Sequence, residues 1–210
     1  MEINNTDNLD QLLYVNNNSL SKELCEYIIQ IFENDTSIYG YDGLVGAGVQ
    51  KHVKDTTDIV ITNHLNDEHW DKLHRVLTKE LQYNVVEYIE NLSNNLHIDP
   101  TNESSFLFTA EKLLIPSMQM QKYNKNTGKY VYHNDFQYDT SGKRMRMLTF
   151  LWYINDVEEG GETQFWKNVK IKPTVGKLVL FPASWTYPHK ANIPISHDKY
   201  VITGWIYDYW

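Results

Sequence analysis

The chain has 210 residues, 41% of them hydrophobic, and a formal net charge of −8. This is enough for one sizeable domain with a real core. With no long Lys or Arg run to offset the charge, it argues against nonspecific affinity for nucleic acid or anionic membranes. Cys25 is the only cysteine, which excludes an internal disulfide and a thiolate metal cluster and leaves any metal to His and carboxylate ligands.

The first residues, "MEINNTDNLDQLLYVNNNSL", lack the basic start and apolar stretch of a signal peptide, and no apolar run approaches membrane-spanning length, so a cytoplasmic location is expected. In "SLSKELCEYIIQIFEND", Leu20, Leu24, Ile28, Ile31 and Phe32 share one side of a helix that the preceding serines can cap. Residues 36–62 read as loop and short strand, with Gly40, Gly43, Gly46 and Gly48 breaking any helix. Leu73, Leu77, Leu81, Val85, Ile89 and Leu92 mark a second, longer helix that ends before Pro100. Its His69 and His74 do not share a face and read as surface residues.

From about Phe106 the apolar period changes to two. The remaining chain reads as successive strands: "FLFTAEKLL", "SMQMQKY", "KYVYHND", "RMLTFLWYI", "ETQFW", "GKLVLFP" and "KYVITGWIYDYW". Short strands with glycine turns and no interleaved helix predict an antiparallel sandwich or jelly roll. The fold class is therefore α+β: a jelly roll over 106–210, braced by helices and loops in 1–105, forming a single domain over 1–210.

"YVYHND" carries the chemistry. In an extended strand His133 and Asp135 point the same way, with Cα atoms roughly 6.6 Å apart. His189 follows the strand "GKLVLFP" and supplies a third donor. Two imidazoles and one carboxylate form the facial triad that suits non-haem Fe(II), leaving coordination positions open for substrate and oxygen. Zinc accepts the same donors, so a zinc hydrolase is an alternative, as is a non-catalytic jelly-roll module whose His and Asp are incidental. Lys199, heading the apolar strand "KYVITGW", favours the oxygenase, because burying an ammonium without a partner is costly and a carboxylate-bearing ligand would supply one. His197 and Asp198 are adjacent, point to opposite faces and read as a turn.

From about Leu113 to Trp210 the chain resembles the catalytic domain of Fe(II)- and 2-oxoglutarate-dependent dioxygenases, and within them the prolyl 4-hydroxylase group. The matching segments are "YNKNTGKYVYHND", "LTFLWYIND", "EEGGETQF", "GKLVLFP", Pro188 with His189, and "KYVITGWI". The resemblance implies a double-stranded β-helix, the cupin-like jelly roll. It implies iron held by His133, Asp135 and His189, with Lys199 pairing the distal carboxylate of 2-oxoglutarate. Tyr123 and Tyr130 fit a family pattern of two tyrosines seven apart that line the cosubstrate pocket. Tyr153 falls where relatives place a tyrosine whose hydroxyl helps bind the distal carboxylate. By alternation Thr203 and Trp205 share the Lys199 face and line the same pocket. The implied cofactors are Fe(II), 2-oxoglutarate and O2, with ascorbate as an optional accessory. Asp135 favours hydroxylation over halogenation, since related halogenases lack this carboxylate.

For the substrate, the resemblance implies a prolyl peptide or protein, with a free amino acid or other small molecule as the alternative. The glycine-rich loop over residues 40–48 lies where relatives carry a mobile segment that closes over the peptide. The chain resembles the compact intracellular form found in bacteria and viruses, as a monomer or homodimer, with no nucleic-acid or membrane partner.

Overall fold

In the computed structural model, which describes residues 12–62, 67–96, 113–115, 117–140 and 142–208, both helices follow the apolar periods of the sequence. Helix α1 (Lys22–Tyr39) starts at Ser21, whose side chain accepts the Leu24 N–H at 3.2 Å. It runs past Thr36, where a loop is expected, to Tyr39, with the Thr36 hydroxyl bonded back to the Phe32 carbonyl. Gly40 ends it: a Cβ there would stand 2.3 Å from the Thr36 carbonyl oxygen. Helix α2 (Glu68–Leu96) buries Leu73, Leu77, Leu81, Val85 and Leu92 on one side. His74 is buried too, contrary to its reading as a surface residue, whereas His69 is exposed with its Nδ1 against the Tyr27 hydroxyl at 2.7 Å. No described helix is long and apolar enough to cross a membrane.

The strands are β1 (Tyr14–Asn16), β2 (Tyr41–Asp42), β3 (Leu44–Val45), β4 (Gly48–Val49), β5 (Lys54–Asp55), β6 (Thr57–Ile61), β7 (Leu113–Leu114), β8 (Met118–Tyr123), β9 (Lys129–His133), β10 (Tyr138–Asp139), β11 (Arg144–Tyr153), β12 (Thr163–Phe165), β13 (Val169–Ile171), β14 (Leu178–Pro182), β15 (His189–Ala191) and β16 (Lys199–Asp208). One antiparallel sheet has the order β1-β14-β11-β16-β8-β6-β2, with β7 and β10 attached at its side. A second has the order β13-β12-β15-β9-β5, and β3 pairs with β4 as a hairpin. The fold is the double-stranded β-helix. Strands before residue 106 take part in both sheets: β6 pairs with β8, β1 with β14, and β5 with β9. Most of the expected strand "FLFTAEKLL" lies outside the described residues.

Alternation along the central strands divides the larger sheet into two faces. Leu148, Phe150 and Trp152 on β11, Leu178 and Leu180 on β14, and Ile202 and Ile206 on β16 pack with both helices in one apolar core. Tyr153, Val179, Phe181 and Val201, from the same strands, point the other way into a smaller cluster between the sheets. The site occupies this inner space.

A buried polar knot pins α2 to the edge of the larger sheet. The Asn84 carbonyl oxygen accepts from the Tyr14 hydroxyl at 3.1 Å and from Asn16 Nδ2 at 2.8 Å, while its own amide donates to Glu80 Oε1 at 2.8 Å. Asn84→Ala removes the shared acceptor of the half-buried Tyr14 and Asn16 donors, at a cost of about 2 kcal/mol. A thermal melt should fall by roughly 4–8 °C, and an unchanged melt would show that the knot contributes nothing.

Candidate active site

The sheets bring His133, Asp135 and His189 together. His133 closes β9 and His189 opens β15, and the two face one another in the strand register with ring centroids 4.3 Å apart. Asp135 lies just past the end of β9, so the turn after the strand, rather than strand alternation, aims it inward. Each imidazole has its Nδ1 at the backbone carbonyl two residues before it: Val131 at 2.9 Å for His133, Tyr187 at 3.0 Å for His189. A carbonyl can only accept, so the proton sits on Nδ1 and the Nε2 lone pair is left for a ligand. Both Nε2 atoms face the same carboxylate, at 3.9 Å from Asp135 Oδ1 and 3.6 Å from Asp135 Oδ2. One donor atom from each residue falls within 4.8 Å of the others.

The charge states suit a divalent cation. Burial pushes His133 down to about 4, assisted by the neighbouring His189, so its imidazole is neutral at pH 7. Burial alone would raise the Asp135 carboxyl. His189, His133 and the Thr149 hydroxyl, which donates to Asp135 Oδ2 at 2.8 Å, outweigh it and hold the group below its ordinary value. Two imidazole nitrogens and a carboxylate oxygen converging on one point fit Fe(II), which has non-haem sites of this composition.

Lys199 lies at the closed end of the same cavity and is 1% exposed. Its ammonium donates to the Gly161 carbonyl at 2.9 Å and stands 4.4 Å from the centre of the Tyr123 ring, with no carboxylate at ion-pair distance among the described residues. Burial lowers it to about 7. Lys54 also lines the cavity, but its ammonium is held by Asp58 at 2.6 Å. Lys199 is thus the buried cation positioned to meet an incoming anion.

Of the other expected pocket residues, Tyr123, Tyr130, Thr203 and Trp205 line the cavity. Tyr130 stacks on His133 at 3.6 Å, which strict alternation over three residues would not allow; a register shift between β15 and β9 turns the intervening residues outward. Tyr153 differs from expectation. It is fully buried in the cluster behind the cavity, and its hydroxyl donates to Thr163 Oγ1 at 2.7 Å. Thr163, not Tyr153, lines the cavity beside Lys199. Sequence reasoning missed Thr149, Thr163, Gln119 and Gln121, although counting by twos from Tyr153 and Tyr123 reaches three of them. It also missed Arg146, whose guanidinium lies 3.4 Å from the centre of the Trp205 ring.

Comparison with known proteins agrees with this arrangement. The family model described as the 2OG-Fe(II) oxygenase superfamily matches residues 118–207. No curated protein matches the chain in sequence. Among solved structures, a prolyl hydroxylase from Trichoplax adhaerens, in complex with a hypoxia inducible factor oxygen degradation domain peptide fragment, superposes with a TM-score of 0.70 at 20% identity, covering 96% of this chain and 86% of that one. A prolyl-4-hydroxylase from Pseudomonas putida gives 0.62 at 15% identity, covering 95% of each chain. The viral collagen prolyl hydroxylase of Paramecium Bursaria Chlorella virus-1, in its 2OG complex, gives 0.61 at 18% identity over 94% of this chain and 97% of that one.

The buried ammonium has a consequence for pH. The unfolded lysine keeps its proton up to about pH 10, while the folded one loses it near 7. Between these values the unfolded state binds more protons, so stability of the ligand-free protein rises with pH. Denaturant midpoints at pH 7 and 9 should show the rise, and Lys199→Met should flatten it. An equal slope in the variant would assign the effect to other groups.

Proposed function

We infer that this chain, whose residues 118–207 match the model of the 2OG-Fe(II) oxygenase superfamily, is an Fe(II)- and 2-oxoglutarate-dependent dioxygenase that hydroxylates a prolyl residue of a peptide or protein. The observation that carries this reading is one cavity holding the His133, Asp135 and His189 donors and, at its closed end, the buried ammonium of Lys199. A zinc hydrolase has no use for that ammonium, and a binding module has no use for either feature. The prolyl substrate is supported by the likeness to three prolyl hydroxylases, one of them in complex with a peptide.

His133 and His189 would hold the iron through Nε2, and Asp135 through its carboxylate. When bound, iron and 2-oxoglutarate together supply the activation of dioxygen, with succinate and CO2 released and one oxygen atom placed on a C–H bond. The protein's own part is orientation and exclusion of water. The carbonyls of Val131 and Tyr187 fix the two imidazoles, and Thr149 keeps Asp135 aimed and ionised. Lys199 would pair with the distal carboxylate of 2-oxoglutarate, with the Tyr123 ring, 4.4 Å from its ammonium, on one side. Phe181, Leu151 and Val201 supply apolar wall to the cavity.

Anaerobic addition of Fe(II) and 2-oxoglutarate should give a weak visible charge-transfer band, and a peptide screen read by succinate release should identify the substrate. His133→Ala, Asp135→Ala and His189→Ala should each abolish the band and the turnover while leaving the fold intact by circular dichroism. Full activity in His133→Ala would overturn the iron assignment. Lys199→Ala leaves the cosubstrate carboxylate buried and unpaired, costing on the order of 3–5 kcal/mol in 2-oxoglutarate affinity. Titration calorimetry checks this, and an unchanged affinity would remove Lys199 from the site.

A further inference from the structure

Strand β8 carries an inward-facing polar ladder, and the chemistry described so far has no use for its two glutamines. Gln119, Gln121 and Tyr123 are two residues apart, all line the cavity, and pair across the sheet with Thr203, Val201 and Lys199 respectively. Their hydrogen bonds run in one direction. The Tyr123 hydroxyl donates to Gln121 Oε1 at 2.9 Å, and Gln121 Nε2 donates to Gln119 Oε1 at 3.2 Å. Gln121 is 4% exposed and Gln119 is half-buried, so the ladder climbs from the floor below Lys199 toward the open end.

Each bond fixes the next. A carboxamide has one acceptor end and one donor end. The Tyr123 proton claims the acceptor end of Gln121 and Gln121 in turn claims the acceptor end of Gln119, so the NH2 of Gln119, a residue that lines the cavity, is the donor the ladder does not use. A second donor lies on the same wall: Trp205 Nε1 is buried and has no hydrogen-bond partner among the described residues. Buried donors without acceptors are costly, and such groups in a binding cavity mark where a ligand acceptor belongs.

Building on the proposed prolyl hydroxylation, we propose that the Gln119 amide is a substrate-recognition donor that binds a backbone carbonyl of the peptide flanking the hydroxylated residue, and that Gln121 is a positioning residue that sets its orientation. The ligand class is a neutral acceptor, a peptide carbonyl. Lys199 lies two rungs along the ladder, opposite Tyr123, and would take the anionic cosubstrate. The two sites therefore discriminate by charge: cation for carboxylate, amide for carbonyl.

The test uses the iron-loaded protein and a library of capped Xaa-Pro-Xaa peptides, with hydroxylation read by mass spectrometry and 2-oxoglutarate affinity measured separately by calorimetry. Gln119→Met keeps the shape and removes the donor. Its peptide KM should rise about tenfold, the effect of one lost hydrogen bond, with 2-oxoglutarate affinity unchanged within about twofold. Gln121→Met should raise the peptide KM several-fold. Because Gln121 acts through Gln119, the double variant should be no worse than Gln119→Met alone. Gln119→Asn, which shortens the reach and remains polar, gives the same KM effect and serves if the methionine variant folds poorly. An unchanged peptide KM, additive effects in the double variant, or a loss confined to 2-oxoglutarate affinity would overturn the proposal. A wild-type protein that forms succinate but hydroxylates no peptide would instead overturn the prolyl reading on which it rests.

Discussion

The burial of one ammonium constrains the whole inner face of this fold. Lys199 sits on a central strand with a carbonyl and an aromatic ring for company, an arrangement that costs free energy until an anion arrives. Such a group survives only if the surrounding structure is stable enough to carry it. That stability comes from the other face of the same strands, where Phe150, Trp152, Ile202 and Ile206 pack against two helices. The pairing of β16 with both β11 and β8 ties the strand that carries both faces into the middle of the sheet.

The histidines show how local and long-range geometry divide the work. Each ring takes its tautomer from the carbonyl two residues before it, so the choice of ligating nitrogen is made by the chain's own backbone. The closeness of the two rings is not local. It arises from the antiparallel pairing of β9 with β15, strands more than 50 residues apart in sequence. Asp135 depends on both, aimed by the turn after β9 and fixed by Thr149 of the opposite sheet.

Much of this was legible in the sequence, for physical reasons. The helices were legible because their buried residues recur at helical spacing, and the strands because apolar residues alternate. His133, Asp135, His189 and Lys199 stood out because polar groups at the ends of apolar strands need an explanation. What escaped depended on pairing or on hydrogen-bond direction. The register shift that stacks Tyr130 on His133 belongs to two strands at once, and no single strand announces it. The Tyr153 hydroxyl turns to Thr163 because of what surrounds it, which position in a motif does not reveal. The end of α1 lies at Tyr39 rather than Asp35, at the Gly40 cap, whose N–H bonds to the Thr36 carbonyl.

The alternation of the central strands also bears on how such a protein changes over evolutionary time. Residues that hold the molecule together and residues that meet its ligands come from the same strands but point in opposite directions. A substitution at position 119, 121 or 203 alters the lining of the cavity without disturbing the packing under the helices. A lineage can therefore explore new substrates one inward position at a time while the outward positions remain as they are. Neighbouring positions on β8 thus answer to different physical demands, one to the packing of the fold and the next to the lining of the cavity.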